Sequence, residues 1–131
     1  MTAPKNTPST VHKQAAVSFL RMVAAGEISK AYATYVSPTM RHHNAYYPGD
    51  AKSLQKGMEE NHAKFPHKIL DIKQTIGDGD LVAVHSHIRM QPQDLGAAVV
   101  HIFRFEQDRI VEMWDTGQAI PQDSPNTNGM F

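Results

Sequence analysis

From Val11 onward the apolar residues Val11, Ala15, Phe19, Met22 and Val23 recur at the three- and four-residue spacing that lines one face of a helix. Gly26 follows where a C-terminal cap would sit, because glycine accepts the left-handed backbone that ends many helices. Ile28, Ala31, Tyr32, Tyr35 and Val36 repeat the stripe in a shorter segment. Ser37-Pro38 terminates it, since the residue before a proline is pushed out of helical backbone. Met40 to Tyr47 is polar and reads as a loop leading to Pro48-Gly49. Asp50 can then accept a hydrogen bond as N-cap of a third helix reaching about Lys64, with Leu54, Met58 and Phe65 as its buried stripe and Pro66 closing it.

The period then changes. Lys68 to Ile76 alternates, with Ile69, Leu70, Ile72 and Ile76 as apolar members, and Gly77-Asp78-Gly79-Asp80 supplies residues that tolerate positive φ. Leu81 to Met90, Ala97 to Phe105 and Ile110 to Gln118 are three further runs rich in Val, Ile, Phe and Trp. Three helices followed by four strands predict an α+β domain with the helices packed on one face of an antiparallel sheet. Residues 1–10 carry prolines, threonines and a serine without apolar periodicity and read as a flexible N-terminal arm; residues 11–121 form the domain. Residues 122–131 are a C-terminal tail, polar except for its last two residues, Met130-Phe131.

A chain of 131 residues fits one domain, and folding at that size buries roughly two-thirds of the unfolded surface. Thirteen basic and thirteen acidic residues cancel and form no basic block, which argues against nucleic acid and anionic membrane as partners. There is no cysteine, so chemistry here falls to histidine, carboxylate and hydroxyl groups. No segment resembles a signal peptide or a membrane span, and the expected compartment is the cytoplasm.

The candidate chemistry depends on register. With a three-residue loop at Gln107 to Arg109, Arg104 faces Glu112, Phe103 faces Met113, Ile102 faces Trp114 and His101 faces Asp115, so every pair is chemically matched. A slip of one residue sets Arg104 against Val111 and Phe103 against Glu112. The first register is therefore expected. It gives one face Phe105, Val111, Phe103 and Met113, with His101 beside Asp115 at the far end. An imidazole suits proton transfer near neutrality, and a carboxylate beside it stabilises its cation. The duller alternative is a surface carboxylate at a strand end.

His85 and His87 share a face because strand side chains alternate, and they join His101 on one side only if the Pro92-to-Gly96 turn pairs the strands in even register. His85-Ser86-His87 also has the spacing by which two histidines on one strand hold a metal in cupin barrels, but the glutamate needed shortly afterwards is replaced by Gln91. Arg41-His42-His43-Asn44 is either a plain polar loop or the source of an imidazole and a carboxamide at a pocket mouth.

Arg41-His42-His43-Asn44, Gly79-Asp80-Leu81-Val82-Ala83-Val84-His85, His101-Ile102-Phe103-Arg104-Phe105 and Ile110-Val111-Glu112-Met113-Trp114-Asp115 resemble the SnoaL-like polyketide cyclase family of the nuclear transport factor 2-like superfamily. The resemblance covers roughly Val11 to Pro121. It implies a cone-shaped α+β fold whose curved antiparallel sheet takes three N-terminal helices on its concave face, and homodimers formed through the outer sheet face at Ile102 and Trp114. It further implies an aldol-type cyclisation, isomerisation or lyase reaction on a small hydrophobic carbonyl compound, without metal or cofactor. Asp115 matches the acid/base position, His85 and His101 are candidate donors to an enolate oxygen, and His43, Asn44, Phe103, Met113, Trp114 and His87 are candidate substrate contacts. Many relatives carry aspartate where His101 stands and histidine where Met113 stands. The alternatives are a non-catalytic dimeric protein that binds a small ligand in the same fold, and a metal site at His85, His87 and His101.

Overall fold

The computed structural model describes residues 7–131. Helix α1 spans Pro8–Ala24, α2 Ile28–Tyr35 and α3 Ala51–Lys64; the strands are β1 Val36–His42, β2 Ile69–Asp78, β3 Leu81–Arg89, β4 Ala97–Glu106 and β5 Arg109–Ala119. The first helix begins earlier than its apolar stripe predicts. Thr7 caps it by accepting the Thr10 amide, and Pro8 occupies the first turn, where a missing N–H costs nothing. Of the expected arm, residues 1–6 lie outside the described residues. At the other end Gly26 takes φ +89°, as the cap requires. Asp50 caps α3 through the amide and hydroxyl of Ser53, at 3.0 and 2.7 Å.

The strands form one mixed sheet in the order β1-β5-β4-β3-β2. Register irregularities interrupt β1/β5, β2/β3 and β4/β5, and such bulges bend a strand and increase its twist. The resulting sheet is curved and unclosed. The three helices cover its concave side, where Phe19 packs edge-on against both Tyr32 and Phe103. Leu20, Ile28, Met40, Leu54, Val82, Val84, Phe105 and Ile110 complete one continuous core.

Strand β1 departs from expectation. Ser37-Pro38 ends the second helix, as predicted, but the chain goes directly into an edge strand parallel to β5, with Arg41 opposite Glu112 and His42 opposite Met113. Pro38 is tolerated there because an edge strand leaves one row of N–H groups unpaired. Val36, Met40 and His42 turn inward and are buried, an alternation interrupted by exposed Pro38, Thr39 and Arg41.

The β4–β5 hairpin keeps the predicted pairs Arg104–Glu112, Phe103–Met113, Ile102–Trp114 and His101–Asp115. Its tip is tighter than the expected three-residue loop. Gln107 and Asp108 alone make the turn, both with positive φ (49° and 62°), and Phe105 faces Ile110. A bulge just beyond absorbs the extra residue, so Ile110 rather than Val111 is fully buried beside Phe105.

His12 ties this end of the sheet together. Its ring stacks on Phe105 at 4.4 Å, Nδ1 donates to the Gly79 carbonyl at 3.1 Å, and Nε2 lies 3.3 Å from Asp108 Oδ1. One buried side chain of α1 thus touches both hairpin turns. Truncation His12→Ala removes these bonds and the stacking, and is expected to cost about 2 kcal/mol. Urea denaturation checks this; a loss within ~0.5 kcal/mol of wild type, the range of a neutral surface change, would show that His12 does not join the turns.

Candidate active site

The β3–β4 register decides which histidines meet. Gly96 has φ +80°, and a Cβ there would overlap the Ile88 carbonyl oxygen, so only glycine allows the chain to turn this closely into Ala97 opposite Ile88. From that start Val84 falls opposite His101 and His85 opposite Val100. His101 therefore shares the inner face with Val84 and Ser86, while His85 and His87 turn outward. The odd register corrects the expectation that His85 donates beside His101 and Asp115. It also separates the three proposed metal ligands by the thickness of the sheet. Among the described residues no cluster of three His, Asp or Glu side chains could hold a metal ion.

On the inner face His101 and Asp115 are cross-strand neighbours. They line a cavity of about 420 Å³ between the sheet, α1 and α3, whose walls are mainly apolar and include Leu20, Met58, Ile88 and Val99. A groove of about 700 Å³ between α2, β1 and α3 has no carboxylate or imidazole in its walls. Of the two, the cavity beside Asp115 is the one that brings a carboxylate and an imidazole together.

Asn44 governs that carboxylate. His42 is buried, with Nε2 donating to the Pro48 carbonyl at 2.5 Å and Nδ1 accepting the Asn44 amide at 3.1 Å. Asn44 Oδ1 accepts from the Tyr46 amide at 2.9 Å, which orients the carboxamide. Its Nδ2 then points at Asp115 and donates to both oxygens, at 3.0 and 3.2 Å. His42 thus acts as a positioning residue. No hydrogen bond joins His101 to Asp115 among the described residues. His101 instead stacks on Phe103 at 6.0 Å, with its Nδ1 buried and unpartnered. Burial lowers the pKa of this imidazole below its ordinary value, opposed in part by the nearby Asp115 charge. It is therefore neutral at neutral pH and is the kind of group that donates one proton and accepts another.

The remaining candidates lie elsewhere. Phe103 and Met113 share the inner face but are buried in the core, at 0% and 4% exposure, so they support the cavity without lining it. His43 lies on the outer face: it stacks on Trp114 at 5.1 Å and donates to Glu112 Oε2 at 2.7 Å. That bond, with Arg104 and Arg41, holds the Glu112 carboxyl below the usual carboxylate range. His43 and Trp114 thus anchor β1 to β5 on the side away from the cavity. His85 and His87 meet the C-terminal tail, with Phe131 5.4 and 4.9 Å from their rings and Met130 beside His85 in a shallow groove. The tail therefore lies on the outer face. Asn61, Lys68 and Tyr47 line the cavity without having been expected there. Tyr47 packs directly over Gly57 of α3, where a Cβ would strike its ring, and that glycine within a helix was the available signal.

A curved, unclosed sheet with three helices on its concave side is the fold of the nuclear transport factor 2-like class. The SnoaL-like domain family matches residues 16–113, and the chain belongs to that family. No curated protein matches the chain. Among solved structures, wild-type IdmH from Streptomyces antibioticus, a proposed polyketide cyclase, is 17% identical with a TM-score of 0.67, over 82% of this chain and 91% of its own. AclR from Streptomyces galilaeus, a proposed hydroxylase, is 19% identical with a TM-score of 0.72, over 84% and 90%. A SnoaL-like protein of unknown function from Burkholderia thailandensis is 14% identical with a TM-score of 0.71, over 86% and 100%. At these identities the likeness is one of fold. No described helix is long and apolar enough to cross a membrane.

Because the folded-state pKa of His101 is depressed, the unfolded chain takes up this proton more readily as the pH falls below about 6.5. Its contribution to stability is therefore present above that pH and lost below it. Proton NMR of the His101 ring should give a midpoint below the ordinary value, and Asp115→Asn should lower it further by removing a charge that favours the cation. A midpoint that rises in Asp115→Asn would mean that the two side chains do not interact as described.

Proposed function

We propose that the protein is a cofactor-free acid/base enzyme that removes a proton beside the carbonyl of a small hydrophobic molecule, leading to an aldol-type cyclisation, an isomerisation or an elimination. The observation that carries this reading is the Asp115 carboxylate, held by Asn44 at an apolar cavity next to a neutral imidazole. Asp115 takes the proton, and the electrons of the broken C–H bond pass to the carbonyl as an enolate. His101, with its proton on the nitrogen that opens to the cavity, donates to the developing oxyanion. A preorganised donor in a dry site lowers such a barrier more than it could in water. Asn44 keeps the carboxylate aimed at the cavity. Pairing of two copies across the outer face, at Ile102 and Trp114, belongs to the same reading and is tested by the mass of the protein in solution.

One observation favours a second reading. Both oxygens of Asp115 accept from the same carboxamide, an arrangement that equally suits a carboxylate whose role is to fix the Asn44 loop around a bound, unreacting ligand.

Proton abstraction can be followed without the natural substrate, as deuterium uptake into the methyl group of 2-acetylnaphthalene in deuterium oxide, read by NMR. The wild-type protein is expected to accelerate exchange over buffer, and Asp115→Asn to lose 10²- to 10⁴-fold of that acceleration, the usual worth of a positioned base. Equal rates in the two proteins would remove Asp115 from the chemistry. No acceleration by the wild type, with the compound bound, would favour the ligand-binding reading.

A further inference from the structure

The cavity that holds Asp115 has a second charged group in its wall. Lys68 precedes β2 and, among the described residues, is the cavity's one cationic side chain, as Asp115 is its one carboxylate. The two lie toward different ends. Ile69 pairs with Arg89 while His101 pairs with Val84, five residues further along β3. That offset is roughly 16 Å measured along a strand, and less across the concavity. Between them the wall is apolar, formed by residues such as Leu70, Ile88, Met90 and Val99.

The Lys68 ammonium is half-buried and donates to Asn61 Oδ1 on α3. Among the described residues no carboxylate pairs with it. A neutral carboxamide returns only part of the hydration that a buried cation gives up, and burial accordingly lowers the lysine's pKa. The site is short of one negative charge. Asn61 Nδ2, meanwhile, donates only to Met90 Sδ at 3.9 Å, a weak acceptor that a better one would displace.

We propose that Lys68 and Asn61 form the anchor for a carboxylate carried by the cavity's ligand, so that the substrate class is an apolar carboxylic acid whose carbonyl-bearing end reaches Asp115 and His101. This rests on the cavity being the ligand site, though not on its being catalytic. Charge also sets the direction of binding. The ligand's acid is repelled by Asp115 and drawn to Lys68, so the reacting end is presented to the base. A single ammonium with one amide donor matches a monoanion; a phosphate dianion calls for more donors, such as backbone amides or a forked guanidinium.

The test compares 2-naphthoate with 2-naphthamide, compounds of like shape that differ in charge, titrated into the protein and followed by their fluorescence. Wild type is expected to bind the acid at least tenfold more tightly than the amide. Lys68→Met should erase that preference while still binding the amide, which also certifies that the cavity is intact. Lys68→Arg should restore part of it. Asp115→Asn should keep the preference, or enlarge it, while losing the exchange reaction. In the wild type the preference should fade as the pH is raised toward the lysine's pKa. Equal affinities in wild type, or a preference that survives Lys68→Met, would overturn the anchor alone. Failure of both compounds to bind wild type would overturn the cavity as ligand site as well.

Discussion

The alignment of β4 with β5 is the constraint from which the rest of the site follows. Opposite charges at Arg104 and Glu112, bonded at 3.0 Å, lock the outer face of this hairpin. Phe103 against Met113 locks the inner face, and both contacts hold only in the register that brings His101 beside Asp115. A slip by one residue would turn the carboxylate outward and bury Glu112 among core side chains. Interactions several residues away from the cavity thus determine that it contains a carboxylate beside an imidazole.

Strand β1 uses the alternation of a strand to do two different things within four residues. Arg41 and His43 face outward and engage Glu112, clamping the strand to β5. His42 faces inward and, through the Pro48 carbonyl and the Asn44 amide, shapes the turn that presents Asn44 to Asp115. The imidazoles of this segment are therefore structural, and the residue that reaches the cavity is the carboxamide. Sequence alone gives no reason to rank Asn44 above its neighbours, because the ranking depends on which side of the sheet each one meets.

The two faces of the sheet also divide the histidines by task. His101 is desolvated against Phe103, whereas His85 and His87 accommodate the Phe131 ring, over which Lys73 Nζ also lies at 5.1 Å. The apolar end of an otherwise polar tail thus has a resting place on the outer face. Inside, the cavity combines an apolar lining with, among the described residues, one carboxylate, one neutral imidazole and one lysine. The physical character of the site follows from that economy: few charges, each held by a neutral amide partner.

What the chain determined by itself was everything that depends on near neighbours or on complementary pairs. Helical stripes placed α1, α2 and α3, Asp50 and Gly26 marked helix ends, and the matched residues of β4 and β5 disclosed their register and the His101–Asp115 pair. Tertiary structure decided the rest. The parity between β3 and β4 came from the close turn at Gly96, which sent His85 and His87 to the far side; β1 was hidden because its pairing partner lies about 70 residues away in the chain, a separation that short-range periodicity does not register. Lys68 and Asn61 became cavity residues only when α3 was laid across the sheet, since a wall assembled from seven separate segments has no signature in any one of them.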